Sequence, residues 1–190
     1  MRKMHEILAL VCGFLNRQKI GYVLVGGIAV SVHGVPRSTV DADFILSLEE
    51  KALPGLIRFL KRNGFLAGLG DARAAFADSS HFTAEDTLSH LRLDIKGIYN
   101  DMDRNAYERR VRFRFKGVDM MIQTPEDLIA AKLYYGSEQD ISDAEGVYIS
   151  KKGKLDLEYL TAICRSYGVS KELAAMVRRA RRHWDGTGRV

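Results

Sequence analysis

The spacing of apolar residues along the chain switches between the period of a helix and the period of a strand. Helical spacing predicts helices at residues 3–19 and 28–33, between Ser47 and Gly64, from Pro125 onward, and at residues 140–150, 156–167 and 170–184. Strand-forming runs and alternation predict strands at residues 22–25, 40–46, 90–97, 110–115 and 118–122. The order is therefore α/β in the earlier part of the chain and all-helical in the later part.

Turn-forming and capping residues indicate where several of these elements begin and end. Ser47 followed by Glu50 fits a capping box at the start of the third helix. Lys116 and Gly117 are typical of the turn of a hairpin. Residues 66–80 have weak periodicity and many small side chains, which predicts a loop.

This order of elements predicts an α/β (α+β) fold with a mixed sheet, flanking helices and a C-terminal helical segment. The 190 residues, of which 46% are hydrophobic and 28% charged, suit one ordinary domain with a helical extension. We expect residues 1–123 to form the core, an N-terminal helix plus the sheet. We expect residues 124–190 to form a helical segment that closes a cleft.

Charge and cysteine content narrow the class of protein further. Two basic clusters, residues 109–114 and 178–183, stand out in a chain of net charge +5, and each can hold phosphates or nucleic acid or be a solvated face. Cys12 and Cys164 lie in helix-like apolar patterns, which predicts buried thiols in a reducing compartment. The first residues carry no long apolar run and no small-residue cleavage site, so we expect a cytoplasmic protein with no membrane partner.

Two carboxylates share one face of the strand predicted at residues 40–46. Alternation sends Asp41 and Asp43 to one side and the apolar residues between them to the other. Because like charges side by side repel, a hard divalent ion such as Mg²⁺ is a natural partner for the pair. The alternative is an exposed polar face that binds nothing.

A third acid and a glycine pair add to this pattern. Asp94 lies in mid-strand on one face with Arg92 and Lys96, where it can complete a metal site, act as a base, or simply pair with a neighbouring cation. Gly26 and Gly27 follow a strand and precede a helix, a place where the backbone can approach phosphate oxygens. The same glycines also suit an ordinary turn.

These motifs together resemble a known signature. The run Val25-Gly26-Gly27-Ile28-Ala29, then residues 33–39, then Asp41-Ala42-Asp43 are similar to the signature of nucleotidyltransferase-superfamily proteins, among them minimal nucleotidyltransferases and the AbiEii-type toxins of bacterial toxin–antitoxin systems. The resemblance implies a nucleotidyltransferase-type sheet, a nucleoside triphosphate as substrate and Mg²⁺ or Mn²⁺ as cofactor.

The resemblance also implies a role for individual residues. It places Gly26 and Gly27 against the phosphates, with Arg37 nearby. It makes Asp41 and Asp43 metal ligands and Asp94 the third acid of the catalytic and metal site. A later similarity over residues 123–148 implies that Lys132 meets triphosphate or leaving-group charge, and that Asp140 orients it.

Three functions fit these observations. The first is a metal-dependent transferase that moves a nucleoside monophosphate from a triphosphate to a protein, transfer RNA or small-molecule acceptor. The second is a nucleotide- or RNA-binding protein with a degenerate site, in which residues 178–183 make the contacts. The third is a component of a toxin–antitoxin system that binds a cognate toxin or antitoxin.

Overall fold

The structure is a computed structural model that describes the backbone of residues 1–187 and the side chains of residues 1–182. Its helices are α1 (Met4–Arg17), α2 (Gly26–Val32), α3 (Leu53–Arg62), α4 (Leu69–Ala77), α5 (Asp101–Glu108), α6 (Pro125–Tyr135), α7 (Glu138–Ser150), α8 (Leu157–Ser166) and α9 (Ser170–Thr187). Its strands are β1 (Gly21–Val25), β2 (Asp41–Ser47), β3 (Phe65–Leu66), β4 (His81–Asp86), β5 (Arg92–Lys96), β6 (Val111–Phe115) and β7 (Val118–Ile122).

The strands form one mixed sheet, with the order β3-β4-β5-β2-β1-β7-β6. Strand β2 pairs in parallel with β5 and antiparallel with β1, and β1 pairs in parallel with β7. The outer pairs β3–β4, β4–β5 and β6–β7 are antiparallel. The predicted α/β fold with a mixed sheet and flanking helices is therefore confirmed.

The chain divides into two compact units, which we describe separately. Unit 1 comprises residues 1–28 and 38–123 and contains the sheet. Unit 2 comprises residues 29–37 and the chain from residue 124 onward, and it is helical in its described part. The expectation that the C-terminal segment closes a cleft stays a prediction.

In unit 1 the two faces of the sheet differ in character. The side chains of Ala42, Phe44, Leu93 and Ile95 point to one face and are at most 1% exposed, so this face forms the main core. The acids of β2 and β5 alternate with them and point to the other face. A small cluster of Val23, Ile45 and Ala106 buries part of that second face under α5. The strands that carry the acids are thus fixed by apolar packing on both sides.

Residues 66–80 differ from the prediction of a loop. Leu66 belongs to β3, and the segment contains helix α4, which packs against β4. The buried residues of α4 are Ala72 and Ala75, whose small side chains give little hydrophobic periodicity. The prediction was wrong because tertiary contact, which the local pattern does not show, stabilises this helix.

The predicted capping box at Ser47 is also wrong. Ser47 is the last residue of β2, and α3 begins only at Leu53, after a 3-10 turn at Glu50–Ala52. A proline in the first turn of α3 presets its backbone, and no side-chain cap is present at that end. Strand β4 and helix α5 were absent from the prediction altogether.

Unit 2 is built around α6, whose residues from Glu126 to Leu133 are all buried. Thr124 caps its first turn by accepting a hydrogen bond from the amide of Asp127. The buried carboxylates at this end have partners, since Tyr159 donates its hydroxyl to Asp127 at 2.6 Å. None of the helices in the described part of the chain is long and apolar enough to cross a membrane.

Candidate active site

Three carboxylates of unit 1 lie on the same face of two neighbouring strands. Asp41 and Asp43 are separated by one buried residue of β2, so both project from the same side. Asp94 on β5 is the direct partner of Asp43 in the parallel pairing, and Arg92 is the partner of Asp41. The structure therefore places Asp43 and Asp94 side by side on adjacent strands, and Asp41 lies two residues before Asp43 on the same face.

Arg92 lies among these acids and contacts two of them. Its Nη2 is 3.1 Å from Oδ2 of Asp41, and its Nε is 3.6 Å from Oδ2 of Asp94. Two threonine hydroxyls donate to the remaining oxygens of the same carboxylates, Thr39 to Asp41 and Thr83 to Asp94, each at 2.6 Å. The acids are thus held by short polar contacts even on this partly exposed face.

The pKa of Asp41 reflects these contacts. Partial burial of the carboxyl acts to raise the pKa, but the hydrogen bonds from Thr39 and Arg92 and the charge of Arg92 outweigh it, so the pKa is lowered from its ordinary value. Asp41 is therefore ionised at neutral pH and available as an anionic ligand.

Gly26 approaches the acids through its backbone. Val25 pairs with Asp43 across β1 and β2, and Gly26 follows directly with a φ of +59°. A Cβ at Gly26 would lie 2.1 Å from Oδ2 and 2.9 Å from Cγ of Asp43. The carboxylate of Asp43 thus occupies the space that any other residue would fill, and glycine is required here for both φ and space.

The donor set suits a hard divalent cation. Mg²⁺ needs one or two carboxylates and takes its other ligands from phosphate oxygens and water. Asp41 and Asp43 supply two carboxylates on one face, and the backbone of Gly26 lies directly against the carboxylate of Asp43. Within the part of the chain that is described, no group of three or more His, Cys, Asp or Glu side chains is arranged to hold a metal ion.

Unit 2 carries the predicted basic residues Arg37 and Lys132 in one cluster of charges. The Nζ of Lys132 is 2.6 Å from Oδ1 of Asp140 and 3.1 Å from Oδ2 of Asp143. Arg37 also forms an ion pair with Asp143. Lys132, whose side chain is only 11% exposed, thus contacts Asp140 as predicted, and both cations meet at one buried carboxylate.

Asp140 is held at the start of α7. Partial burial acts to raise its pKa, but hydrogen bonds from Lys132 and Ser137 and the charge of Lys132 outweigh it, so the pKa of Asp140 is lowered. Ser137 caps the helix by accepting from the Asp140 amide, and its hydroxyl donates back to the carboxylate at 2.6 Å. The contact with Lys132 is therefore anchored to the backbone of α7.

Sequence reasoning named neither Arg92 nor Asp143 as a site residue. Alternation along β5 did place Arg92 on the face of Asp94, but the strand that lies beside β5 is not a local property. Asp143 lies three residues after Asp140, which puts both on one side of α7. That spacing was a usable signal.

The basic clusters show different contacts. In unit 1, Arg112 and Arg114 are 72% and 69% exposed, and both lie near Asp119. In unit 2, the helix α9 exposes three arginines, which are Arg178, Arg181 and Arg182. Arg179 instead pairs with Glu145 at 2.8 Å, and the side chain of His183 lies outside the described residues.

The chain matches the model of a known protein family. A family model described as "Nucleotidyltransferase of unknown function (DUF6036)" matches residues 2–185. The chain belongs to this nucleotidyltransferase family, which confirms both the predicted superfamily and the predicted class of enzyme. A comparison with curated proteins found no significant match.

Solved structures support the fold assignment. The chain is similar to an antigenic nucleotidyltransferase-like protein from Paracoccidioides brasiliensis, with 14% identity, a TM-score of 0.57 and 91% of each chain covered. It is similar to ANT(2″)-Ia in complex with adenylyl-2″-tobramycin, with 15% identity, a TM-score of 0.56 and coverage of 85% of this chain and 95% of the other. It is also similar to the lincomycin-bound lincosamide antibiotic adenylyltransferase LnuA, with 17% identity, a TM-score of 0.53 and coverage of 76% and 96%.

Proposed function

We propose that this protein is a cytoplasmic, metal-dependent nucleotidyltransferase that moves a nucleoside monophosphate from a nucleoside triphosphate to an acceptor. The observation that carries the proposal is the acid face of unit 1. There Asp41 and Asp43 share one side of β2, Asp94 is the strand partner of Asp43, and the backbone of Gly26 lies against the Asp43 carboxylate. Membership of a nucleotidyltransferase family supports the same chemistry.

Asp41 and Asp43 are the proposed ligands of Mg²⁺ or Mn²⁺. The lowered pKa of Asp41 keeps its carboxylate ionised at neutral pH, as a ligand must be. When bound, the ion would neutralise charge on the phosphate oxygens as a Lewis acid. The backbone of Gly26 and Gly27 is the proposed contact of the phosphates. The reason is that the Gly26 backbone lies against the Asp43 carboxylate, and so beside the proposed metal; the dipole of the short helix α2 is not used.

Asp94 is the proposed base for the acceptor. In the reaction, an acceptor hydroxyl oxygen forms a bond to the α-phosphorus, and the bond from that phosphorus to the bridging oxygen breaks, so pyrophosphate leaves. The hydroxyl proton passes to the Asp94 carboxylate, whose Oδ1 already accepts a hydrogen bond from Thr83. The side chain of Asp94 is 18% exposed, so it is accessible to an acceptor.

Arg37 and Lys132 are the proposed phosphate-binding cations of unit 2. Both pair with the buried carboxylate of Asp143, and Lys132 also contacts Asp140. In this proposal the two acids orient the cations, and phosphate binding adds to these contacts. The Arg37 side chain is 28% exposed.

A small-molecule hydroxyl is the acceptor class to test first. Two proteins of similar fold were solved with adenylyl-2″-tobramycin and with lincomycin, which are small molecules. Protein side chains and transfer RNA ends are the other acceptor classes for this chemistry. Release of pyrophosphate from each nucleoside triphosphate, measured with panels of all three classes, distinguishes among them.

The experiment that tests the site is a calorimetric titration of ATP, GTP, CTP and UTP, with and without Mg²⁺. We expect metal-dependent binding to the wild type and its loss in the Asp41→Asn/Asp43→Asn variant, because the amides remove both anionic ligands. A matched control, Asp78→Asn/Asp101→Asn, removes two exposed acids of the same unit and should bind like the wild type. Unchanged binding in Asp41→Asn/Asp43→Asn would show that the site is assigned wrongly.

An RNA-binding role is a second candidate, and the exposed arginines of α9 favour it. Arg178, Arg181 and Arg182 are exposed on one helix of unit 2. Such a module would bind RNA with an affinity that falls steeply as salt rises, through counterion release. Absence of RNA binding at low salt, together with nucleotide transfer, would eliminate it.

A role in a toxin–antitoxin system is a third candidate. The aromatic side chains of Tyr134 and Tyr135 on α6 are 57% and 65% exposed, and Leu157 at the start of α8 is 56% exposed. Exposed apolar groups of this size suit a protein partner such as a cognate toxin or antitoxin. Co-expression with the product of the adjacent gene, followed by size-exclusion chromatography, tests for a stable complex.

A further inference from the structure

A basic side chain lies among the acids proposed to bind metal. The guanidinium of Arg92 spans from Asp41 on the neighbouring strand to Asp94 on its own strand, with nitrogen–oxygen distances of 3.1 and 3.6 Å. Its side chain is 47% exposed, whereas those of Asp41 and Asp94 are 28% and 18% exposed. The acids are therefore partly neutralised by a group of the chain itself.

The fold dictates this contact. Arg92 and Asp41 are direct partners in the parallel pairing of β5 and β2, so their side chains leave the same face side by side. Asp94 follows two residues later on that face. The hydroxyls of Thr39 and Thr83 hold the other carboxylate oxygens, which keeps Oδ2 of each acid turned toward the guanidinium.

We propose that Arg92 is an internal competitor of the metal ion, which the ion displaces from Asp41 when it binds. This inference rests on the proposed function, because it takes Asp41 and Asp43 as the metal ligands. A guanidinium and a divalent cation seek the same carboxylate oxygens, so whichever is bound excludes the other from Oδ2 of Asp41. Arg92 thereby weakens the binding of free metal and holds the acids in place until metal enters.

The size of the effect follows from the exposure of the ion pairs. A partly exposed pair shifts an equilibrium by roughly two- to fivefold, and the pair with Asp41 is the one that the ion would displace. Loss of the Arg92 charge should therefore tighten the binding of Mn²⁺ by about threefold. A gain of affinity is informative because damage to the fold would only reduce binding.

The test is a calorimetric titration of Mn²⁺ alone into the 190-residue chain. Wild type is compared with Arg92→Gln and with Arg73→Gln, which removes an equal charge from an exposed ion pair with Glu50 in the same unit. We expect Arg92→Gln to bind Mn²⁺ about threefold more tightly and Arg73→Gln to change the affinity by less than about 1.5-fold. In the background of Asp41→Asn, Arg92→Gln should give no such gain.

The outcomes separate this inference from the proposed function. If the wild type binds Mn²⁺ and Arg92→Gln binds no more tightly than Arg73→Gln, Arg92 does not compete and the metal site itself stands. If the gain persists in the Asp41→Asn background, it does not arise from the Asp41 contact and the inference is wrong. If neither wild type nor Arg92→Gln binds Mn²⁺ at millimolar concentrations, the inference is wrong, and the titration of nucleotide with and without Mg²⁺ decides separately on the proposed metal site.

Discussion

Replacement of Gly26 by alanine tests whether the backbone and the Asp43 carboxylate are as close as the structure places them. The φ of +59° is a left-handed conformation, which costs a residue with a Cβ about 1–2 kcal/mol. The added Cβ would also lie 2.1 Å from Oδ2 of Asp43, so that side chain must leave its position, at a further cost of about 1 kcal/mol. Alanine also restricts the unfolded chain more than glycine does, which stabilises the folded state by about 0.5 kcal/mol. Gly26→Ala should therefore lower the free energy of unfolding by about 2 kcal/mol.

Gly117→Ala is the matched control for the backbone effect. Gly117 lies in the β6–β7 hairpin of the same unit with a φ of +83°, and nothing lies within 4 Å of a Cβ built there. Gly117→Ala has the same conformational cost as Gly26→Ala but no collision of the added Cβ, so we expect the free energy of unfolding to fall by about 1 kcal/mol. Urea denaturation followed by circular dichroism measures both losses.

The affinity for Mn²⁺ should differ between Gly26→Ala and Gly117→Ala by more than their stability does. Because Gly26→Ala displaces the Asp43 carboxylate, Mn²⁺ affinity should fall at least about tenfold, whereas Gly117→Ala should bind like the wild type. If Gly26→Ala is no less stable than Gly117→Ala and retains full Mn²⁺ affinity, the close approach of Gly26 to Asp43 does not exist in solution.

The charge cluster of unit 2 supplies two further predictions. Asp143→Ala leaves Arg37 and Lys132 without their shared carboxylate, whose side chain is 2% exposed. The free energy of unfolding, measured in urea, should therefore fall by about 3 kcal/mol, and a loss below about 1 kcal/mol would contradict this prediction. The pKa of Asp140 is lowered in the folded state, so its carboxylate stabilises the fold above its unfolded pKa of about 4, and this stability is lost as pH falls further. Stability measured from pH 6 to pH 3 should therefore fall less steeply in Asp140→Asn than in the wild type.

The local pattern of the sequence determined much of the acid face. Alternation placed Asp41 and Asp43 together because side chains of a strand point to opposite sides in turn, and the burial pattern of β2 agrees. The glycines after β1 marked the end of the strand correctly, and Gly26 has a positive φ, which is a property of one residue and its neighbours. The hairpin turn at Lys116 and Gly117 was predicted for the same reason.

Tertiary structure alone decided which of these local pieces meet. Neither the pairing of Asp43 with Asp94 nor the contact of Arg92 with Asp41 follows from periodicity, because both depend on the order and register of strands distant in sequence. Helix α4 was missed because its alanines carry almost no hydrophobic pattern and its stability comes from packing. The sequence thus determined which residues carry the chemistry, and the sheet register and helix packing determined their partners, since contacts between distant segments form only when the whole chain folds.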